Sequence, residues 1–224
     1  MTRLQDLLGI DIPVVQAPMA GVQDSALAIA VSRAGGLGSL PCAMLTPDTL
    51  ERELALIRDA TDRAFNVNFF CHAPPVPDAS REAAWRDVLA PYYREYGVDP
   101  GIVATGAGRA PFSADIADIV ERFAPPVVSF HFGLPAPGLL ARVRRWGAKV
   151  LASATTVAEA RWLEQRGANV IIAQGLEAGG HRGNFLSDDL TTQVGTFALL
   201  PQIVAAVRVP VLAAGGIAAA AGVT

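Results

Sequence analysis

Short apolar, β-branched runs alternate along the chain with stretches whose apolar positions recur every three and four residues. The first kind predicts strands at residues 14–19, 36–40, 65–70, 127–132, 149–154, 170–174 and 209–214. The second predicts helices between them. One begins at Asp24 or Ser25, whose side-chain oxygen can accept from free amides of the first turn. Another begins at Thr46, with Pro47 in its first turn and Leu50, Leu54 and Ile57 on one face. A basic helix runs through Arg142, Arg144 and Arg145, and a helix over 157–165 is closed by Gly167.

The strands read as nearly continuous apolar runs, as expected of a parallel sheet covered on both faces. Alternating β and α units allow a doubly wound sheet or a closed barrel. No G-x-G-x-x-G follows the first strand, and no strand leads into Gly106-Ala107-Gly108, which reads as loop. The expectation is therefore an α/β fold, a (β/α)8 TIM-type barrel with about seven βα units present. Residues 71–111, with Pro74, Pro75 and Pro77 and a helix over 80–96, form an excursion too short for its own core. They are read as an insertion in a single domain over 1–224. After Gly215-Gly216-Ile217 the chain runs through alanines to Thr224, so no eighth strand is predicted and the barrel is expected to be C-terminally incomplete.

Composition narrows this without redirecting it. Half the residues are apolar (51%) and 17% are charged, which suits a globular α/β enzyme and not a disordered chain. Eighteen basic side chains against 21 acidic ones leave a net charge of −3, with no footprint for nucleic acid. Cys42 and Cys71 fit no metal spacing and read as reduced thiols of a cytosolic protein. Arg3, Asp6 and Asp11 interrupt the N-terminal apolar positions, and no run approaches the ~20 apolar residues of a membrane span. A cytoplasmic location is expected.

Active sites of parallel α/β folds lie at the carboxyl ends of the strands. Those ends carry Ala17-Pro18-Met19, Asn68, His131, Ser153, Gln174 with the loop to Gly183, and Gly215-Gly216. Glu177 is the one nearby carboxylate, metal-ligand spacing is absent, and no nucleophile elbow is present, which points to a site whose chemistry is carried by a bound cofactor. Asn68 and Gln174 offer donors and acceptors suited to the edge of a flavin ring. Gly179 and Gly180 let backbone approach a ligand, and Gly215-Gly216 stand where barrels bind phosphate. His181, in a glycine-rich loop, is expected to face substrate as an acid/base or hydrogen-bond donor. His131 is read equally as a pocket residue or a satisfied strand histidine, His72 as the start of a loop, and Met19 as pocket lining or ordinary core. Arg182 fits an anion or a structural ion pair alike.

The runs Gln16-Ala17-Pro18-Met19-Ala20-Gly21-Val22, Asn66-Val67-Asn68-Phe69-Phe70, Val128 to Pro135, Ala173 to Gly183 and Ala213 to Ala218 are ordered along the whole chain. Together they resemble the nitronate monooxygenase family, formerly 2-nitropropane dioxygenases. The resemblance implies non-covalent FMN. The loop at Ala17 and Met19 with Asn68 and Gln174 would meet the isoalloxazine and ribityl portion. Gly179, Gly180, Gly215 and Gly216 would serve the flavin and its phosphate, and His181 would meet the nitronate. The implied reaction is oxidation of an alkyl nitronate of the propionate 3-nitronate type by O2, giving a carbonyl compound and nitrite. No metal, nucleic acid or membrane partner is implied, and a homodimer is allowed. An FMN-dependent enoyl-acyl carrier protein reductase, with a similar Gly-Gly-His loop and NADH as donor, is the competing enzyme. A truncated, non-catalytic flavin-binding remnant is the competing reading from another class.

Overall fold

A computed structural model describes residues 3–102 and 109–222, apart from the side chain of residue 220. In chain order the elements are α1 (Leu4–Leu8), α2 (Ser25–Arg33), β1 (Gly38–Pro41), α3 (Pro47–Ala60), β2 (Phe65–Phe70), α4 (Ala79–Tyr96) and α5 (Ala114–Phe123). They continue with β3 (Val127–His131), α6 (Pro137–Arg145), β4 (Lys149–Ala154), α7 (Val157–Gln165), β5 (Val170–Gln174), α8 (Thr196–Ala206) and β6 (Val211–Ala214). All six strands are parallel and neighbours in sequence order, forming a half-barrel.

Capping follows the sequence closely. Asp24 accepts from Ala26 N, Thr46 from Thr49 N and Thr156 from Glu159 N, each satisfying one of the free amides of a first turn. The predicted strand at 14–19 is corrected: it contributes one bridge, Val15 to Leu37, so six strands stand where seven were expected. Pro13 and Pro18 bracket the segment and carry no amide to donate. Beyond the bridge the Gln16 side chain replaces a ladder, its amide donating to Ser39 O (3.1 Å) and accepting from Ser39 N (3.1 Å). The strand expected over 127–132 stops at His131 because Phe132 turns to φ +66°. The Gly106–Gly108 run lies outside the described residues.

The chain divides into two compact units, Met1–His72 with Arg109–Thr224, and Ala73–Gly108. The second unit is built on α4, which buries no residue. Among the described residues no helix is long and apolar enough to cross a membrane. Cys42 and Cys71 are free thiols, and burial raises both above the usual thiol range.

Alternation along the strands sorts the first unit into an outer and an inner face. Outward residues such as Leu40, Val67, Phe69, Val128, Phe130 and Val150 form one apolar cluster with α2, α3, α5 and α6. Ala152, Ala154, Ile171 and Ala173 form another with α7 and α8. The inner face is apolar at the strands' N-terminal ends, where Leu37, Val127, Leu151 and Val170 pack on Leu8 and Ile10. Nearer the C-terminal ends it turns polar, with Ser39, Asn66, Asn68, Ser129, Ser153 and Gln174 all buried.

Helix α2 reaches β1 closely enough that a Cβ on Gly38 would stand 1.9 Å from Ala28 O and 2.7 Å from Ser32 Oγ. Gly38→Ala is expected to lower stability by about 1–3 kcal/mol through overpacking. Urea unfolding would measure this, and an unchanged midpoint would remove the close approach from the account.

Candidate active site

The polar inner wall is tied together by short side chains. Asn66 Nδ2 donates to Ser39 Oγ (3.0 Å) and Ser129 Oγ (2.9 Å), and Asn68 Nδ2 donates to Ser129 Oγ (2.9 Å). Asn66 Oδ1 is buried and finds no hydrogen-bond partner among the described residues, so this wall keeps an unspent acceptor.

Gln174, at the end of β5, has both amide ends committed to the glycine loop that follows. Its Nε2 donates to His181 O (2.8 Å), and its Oε1 accepts from Gly183 N (2.7 Å). His131 Nε2 lies 3.2 Å from the same His181 oxygen, and its Nδ1 lies 3.0 Å from Ser153 Oγ. A carbonyl can only accept, so Nε2 must carry the proton and Nδ1 accepts from the Ser153 hydroxyl. That arrangement needs a neutral ring. Burial is the main reason the His131 pKa is lowered to about 4, reinforced by the charges of His181 and Arg182 against the opposing bond to His181 O.

The His181 backbone is thus held from two sides while its ring stays exposed. The ring stands edge to face with Phe70 (5.4 Å) and Phe132 (5.9 Å), and its nitrogens make no hydrogen bond among the described residues. His72 meets the same two rings at 6.2 and 6.0 Å, and His131 meets them at 5.8 and 4.4 Å. All three histidines of the chain therefore gather around Phe70 and Phe132.

Arg182 turns inward to its own loop, donating to Gly175 O (2.7 Å) and to Ala178 O. Of the two readings left open for it, no ion pair is found among the described residues, and its charge adds to the lowering at the Glu177 carboxyl. Glu177 accepts from Thr196 N (2.8 Å) and Thr196 Oγ1 (3.0 Å) at the start of α8, and the bond from the Thr196 amide leads in holding its carboxyl below the usual range. Glu177 and Ala178 also lie against the glycine pair after β6. A Cβ on Gly215 would stand 2.6 Å from Ala178 N, and that glycine has φ +113°. By contrast, nothing lies within 4 Å of a Cβ built on Gly179 or Gly180, so the tip of the loop opens into free space.

Of the residues singled out by sequence, Gln174, His131 and His181 come together directly, and Asn68 stands on the adjoining wall. Ala17 and Met19 are exposed, Met19 by 46%, and share no hydrogen bond or ring contact with the His181 group among the described residues. Asn66, Ser129 and Phe132 were not singled out for the site, and Ser153 was named only as a strand-end residue. Their signal was present, because Asn66/Asn68 and Ser129/His131 fall at alternate positions inside otherwise apolar strands. Glu159, from α7, was also missed. It is 1% exposed and accepts from Thr155 N (2.7 Å), Thr155 Oγ1 (2.8 Å), Phe185 N (2.7 Å) and Leu186 N (3.2 Å). Among the described residues no group of three or more His, Cys, Asp or Glu could hold a metal ion.

Comparison with known proteins bears on the whole chain. The family model described as nitronate monooxygenase matches residues 1–224. A nitronate monooxygenase of Paraburkholderia phytofirmans is 45% identical over 98% of this chain and 60% of its own length. One from Pseudomonas aeruginosa is 43% identical over 96% of this chain and 62% of its own. The chain thus spans about three fifths of the length of these curated relatives. Among solved structures, nitroalkane oxidase from Streptomyces ansochromogenes superposes with a TM-score of 0.78 at 40% identity, covering 93% of this chain and 59% of that one. FabK from Thermotoga maritima superposes with a TM-score of 0.71 at 30% identity, covering 100% of this chain and 57% of that one. With a family model that spans residues 1–224 and relatives more than 40% identical over nearly all of it, the chain belongs to the nitronate monooxygenase family.

Proposed function

We propose that this chain carries the flavin-facing and substrate-facing part of an enzyme that oxidises alkyl nitronates of the propionate 3-nitronate type with O2, giving a carbonyl compound and nitrite. In this reading the half-barrel is part of a single (β/α)8 TIM-type barrel with an insertion at 71–111, and the flavin is FMN. The observation that carries it is His181, an exposed imidazole on a loop whose backbone is fixed by Gln174 and His131 beside Phe70 and Phe132.

The residues present suit such a cofactor. The unspent Asn66 Oδ1, the amide and hydroxyl wall at Asn68 and Ser129, and the open loop tip at Gly179 and Gly180 offer the mixed donors, acceptors and backbone access that a flavin ring needs, while Gln174 would meet it only beside its bonds to the loop. Ala17 and Met19 would complete its surroundings, and Gly215 and Gly216 would serve its phosphate. When bound, the flavin supplies the acceptor for the nitronate's electrons and is reoxidised by O2.

A nitronate is already the deprotonated form of its nitroalkane, so its oxidation requires no base to remove a carbon-bound proton. His181 matches that lighter task. Among the described residues its ring nitrogens make no hydrogen bond, and the ring can donate an N–H to a nitronate oxygen. Phe70 and Phe132 supply apolar edges for an alkyl group and limit water on that side. Neutral His131 keeps the loop in place without adding a competing charge.

The similar Gly179-Gly180-His181 loop supports a second reading, an NADH-dependent enoyl-acyl carrier protein reductase. Anaerobic mixing of the flavin-loaded protein with NADH separates the two. Little bleaching is expected without a nitronate, and rapid flavin bleaching by NADH would sink the first reading.

Two residue-level outcomes follow from the assignment. His181→Asn should lower nitronate turnover by about 100-fold or more with flavin content unchanged, read by oxygen consumption and the flavin spectrum. Turnover equal to the parent's would remove His181 from the reaction. His131 gives a pH test. Its folded pKa lies below its unfolded one, so the unfolded chain binds more protons between about 6.5 and 4 and stability falls as pH drops through that window. The loss should amount to about 1–3 kcal/mol, allowing for partial exposure of the ring. His131→Gln should remove that part of the slope in urea titrations at stepped pH, and an unchanged slope would contradict a neutral His131.

A further inference from the structure

The loop between β5 and α8 is long, and Gln174 and Glu177 hold only parts of it. Just past His181 another side chain takes over. Glu159 rises from the first turn of α7, is 1% exposed, and divides its two oxygens between two tasks. Oε2 accepts from Thr155 N and Thr155 Oγ1, fixing the turn that follows β4, two residues after Ser153, the partner of His131. Oε1 accepts from the consecutive amides of Phe185 (2.7 Å) and Leu186 (3.2 Å), beyond Gly183 in the His181 loop. Phe185 is seated there as well, its ring 5.1 Å from Trp162 of α7 and pressed on Gly133, where a Cβ would meet it at 3.2 Å.

From this geometry we infer that Glu159 is a positioning residue for His181, joining the His131 side of the site to the His181 loop through one buried carboxylate. The inference rests on the proposed role of His181 but concerns a residue outside the reacting group. Backbone amides cannot reverse their polarity, so the two loop donors demand an acceptor and nothing else. Glutamine can meet that demand by turning its carbonyl to the loop and its amide to Thr155, where the hydroxyl can turn to accept and the Thr155 N–H loses its acceptor; the opposite orientation would strip both loop donors instead of one. Aspartate keeps the charge and can still serve Thr155, four residues back on the same turn. It is shorter by one carbon–carbon bond, about 1.5 Å, and falls short of Phe185 and Leu186.

The pair Glu159→Asp and Glu159→Gln therefore separates reach from charge. Hydrogen exchange of the full chain should show the amides around 183–187 exchanging about tenfold faster or more in Glu159→Asp, with the β2 and β3 amides unchanged. In Glu159→Gln exchange at the loop should stay near the parent rate. With only three histidines in the chain, the His181 ring signal is accessible to NMR. It should shift or broaden in the aspartate variant, keep its position in the glutamine variant, and leave the His72 signal still in both. Nitronate kcat/KM should follow the same order, lowest for aspartate. The inference is overturned if loop exchange in Glu159→Asp stays within about twofold of the parent, or if exchange quickens evenly through the chain. It is also overturned if the loop loosens while the His181 signal does not move. The exchange and NMR readouts need no turnover, so a chain that fails to oxidise nitronates would defeat the proposed function and leave this inference standing or falling by itself.

Discussion

Six parallel strands that share one interior oblige every second side chain to face it. In this chain the constraint divides the interior lengthwise. At the N-terminal ends Leu37, Val127, Leu151 and Val170 close on Leu8 and Ile10 in an apolar cluster. Toward the C-terminal ends the same alternation brings Ser39, Asn66, Asn68, Ser129 and Ser153 inward, where each must find a partner. The serine hydroxyls can, because they rotate to donate or accept. Asn66 exhausts its neighbours and retains one buried acceptor, which marks the polar end as the end prepared for something else.

The loop that carries His181 is ordered by the same economy of donors and acceptors. Few of its backbone groups can pair within a strand or helix, so side chains from β3, β5 and α7 meet them: His131, Gln174 and Glu159. Each such bond is worth about 1 kcal/mol net, and about twice that where a charged group takes part. Leaving one unmade inside the fold would cost more than making it contributes. Arg182 belongs to the same system, its guanidinium spent on two carbonyls of its own loop.

Most of the strand and helix boundaries could be read in advance because periodicity and caps agree, as at Phe65–Phe70 and at Thr46 with Pro47. The segment at 14–19 misled because its residue types favour a strand while Pro13 and Pro18 deny it a ladder, and a side-chain amide at Gln16 does the pairing. Gln174 and His181 were legible from their position at a strand end. Their relation was not, since Gln174 grips the His181 backbone and not its ring. Glu159 was hidden for a different reason. An acidic residue in the first turn of a helix is ordinary, and only the fold reveals that Phe185 and Leu186 come to it from the loop after the neighbouring strand β5.

His131 and His181 show how one residue type takes two roles through its surroundings. His131 lies at the end of β3, closed between a hydroxyl and a carbonyl, and burial keeps it neutral. A neutral ring with a fixed tautomer is a sound structural donor and a poor proton carrier at ordinary pH. His181 is held differently, anchored through its carbonyl, with its exposed ring against Phe70 and Phe132 and its ring nitrogens without a hydrogen bond among the described residues. Exchanging those environments would leave the loop unpinned and the exposed position without a group able to donate to an anion. The chemistry therefore depends less on having two histidines at the strand ends than on which of them the fold leaves unpaired.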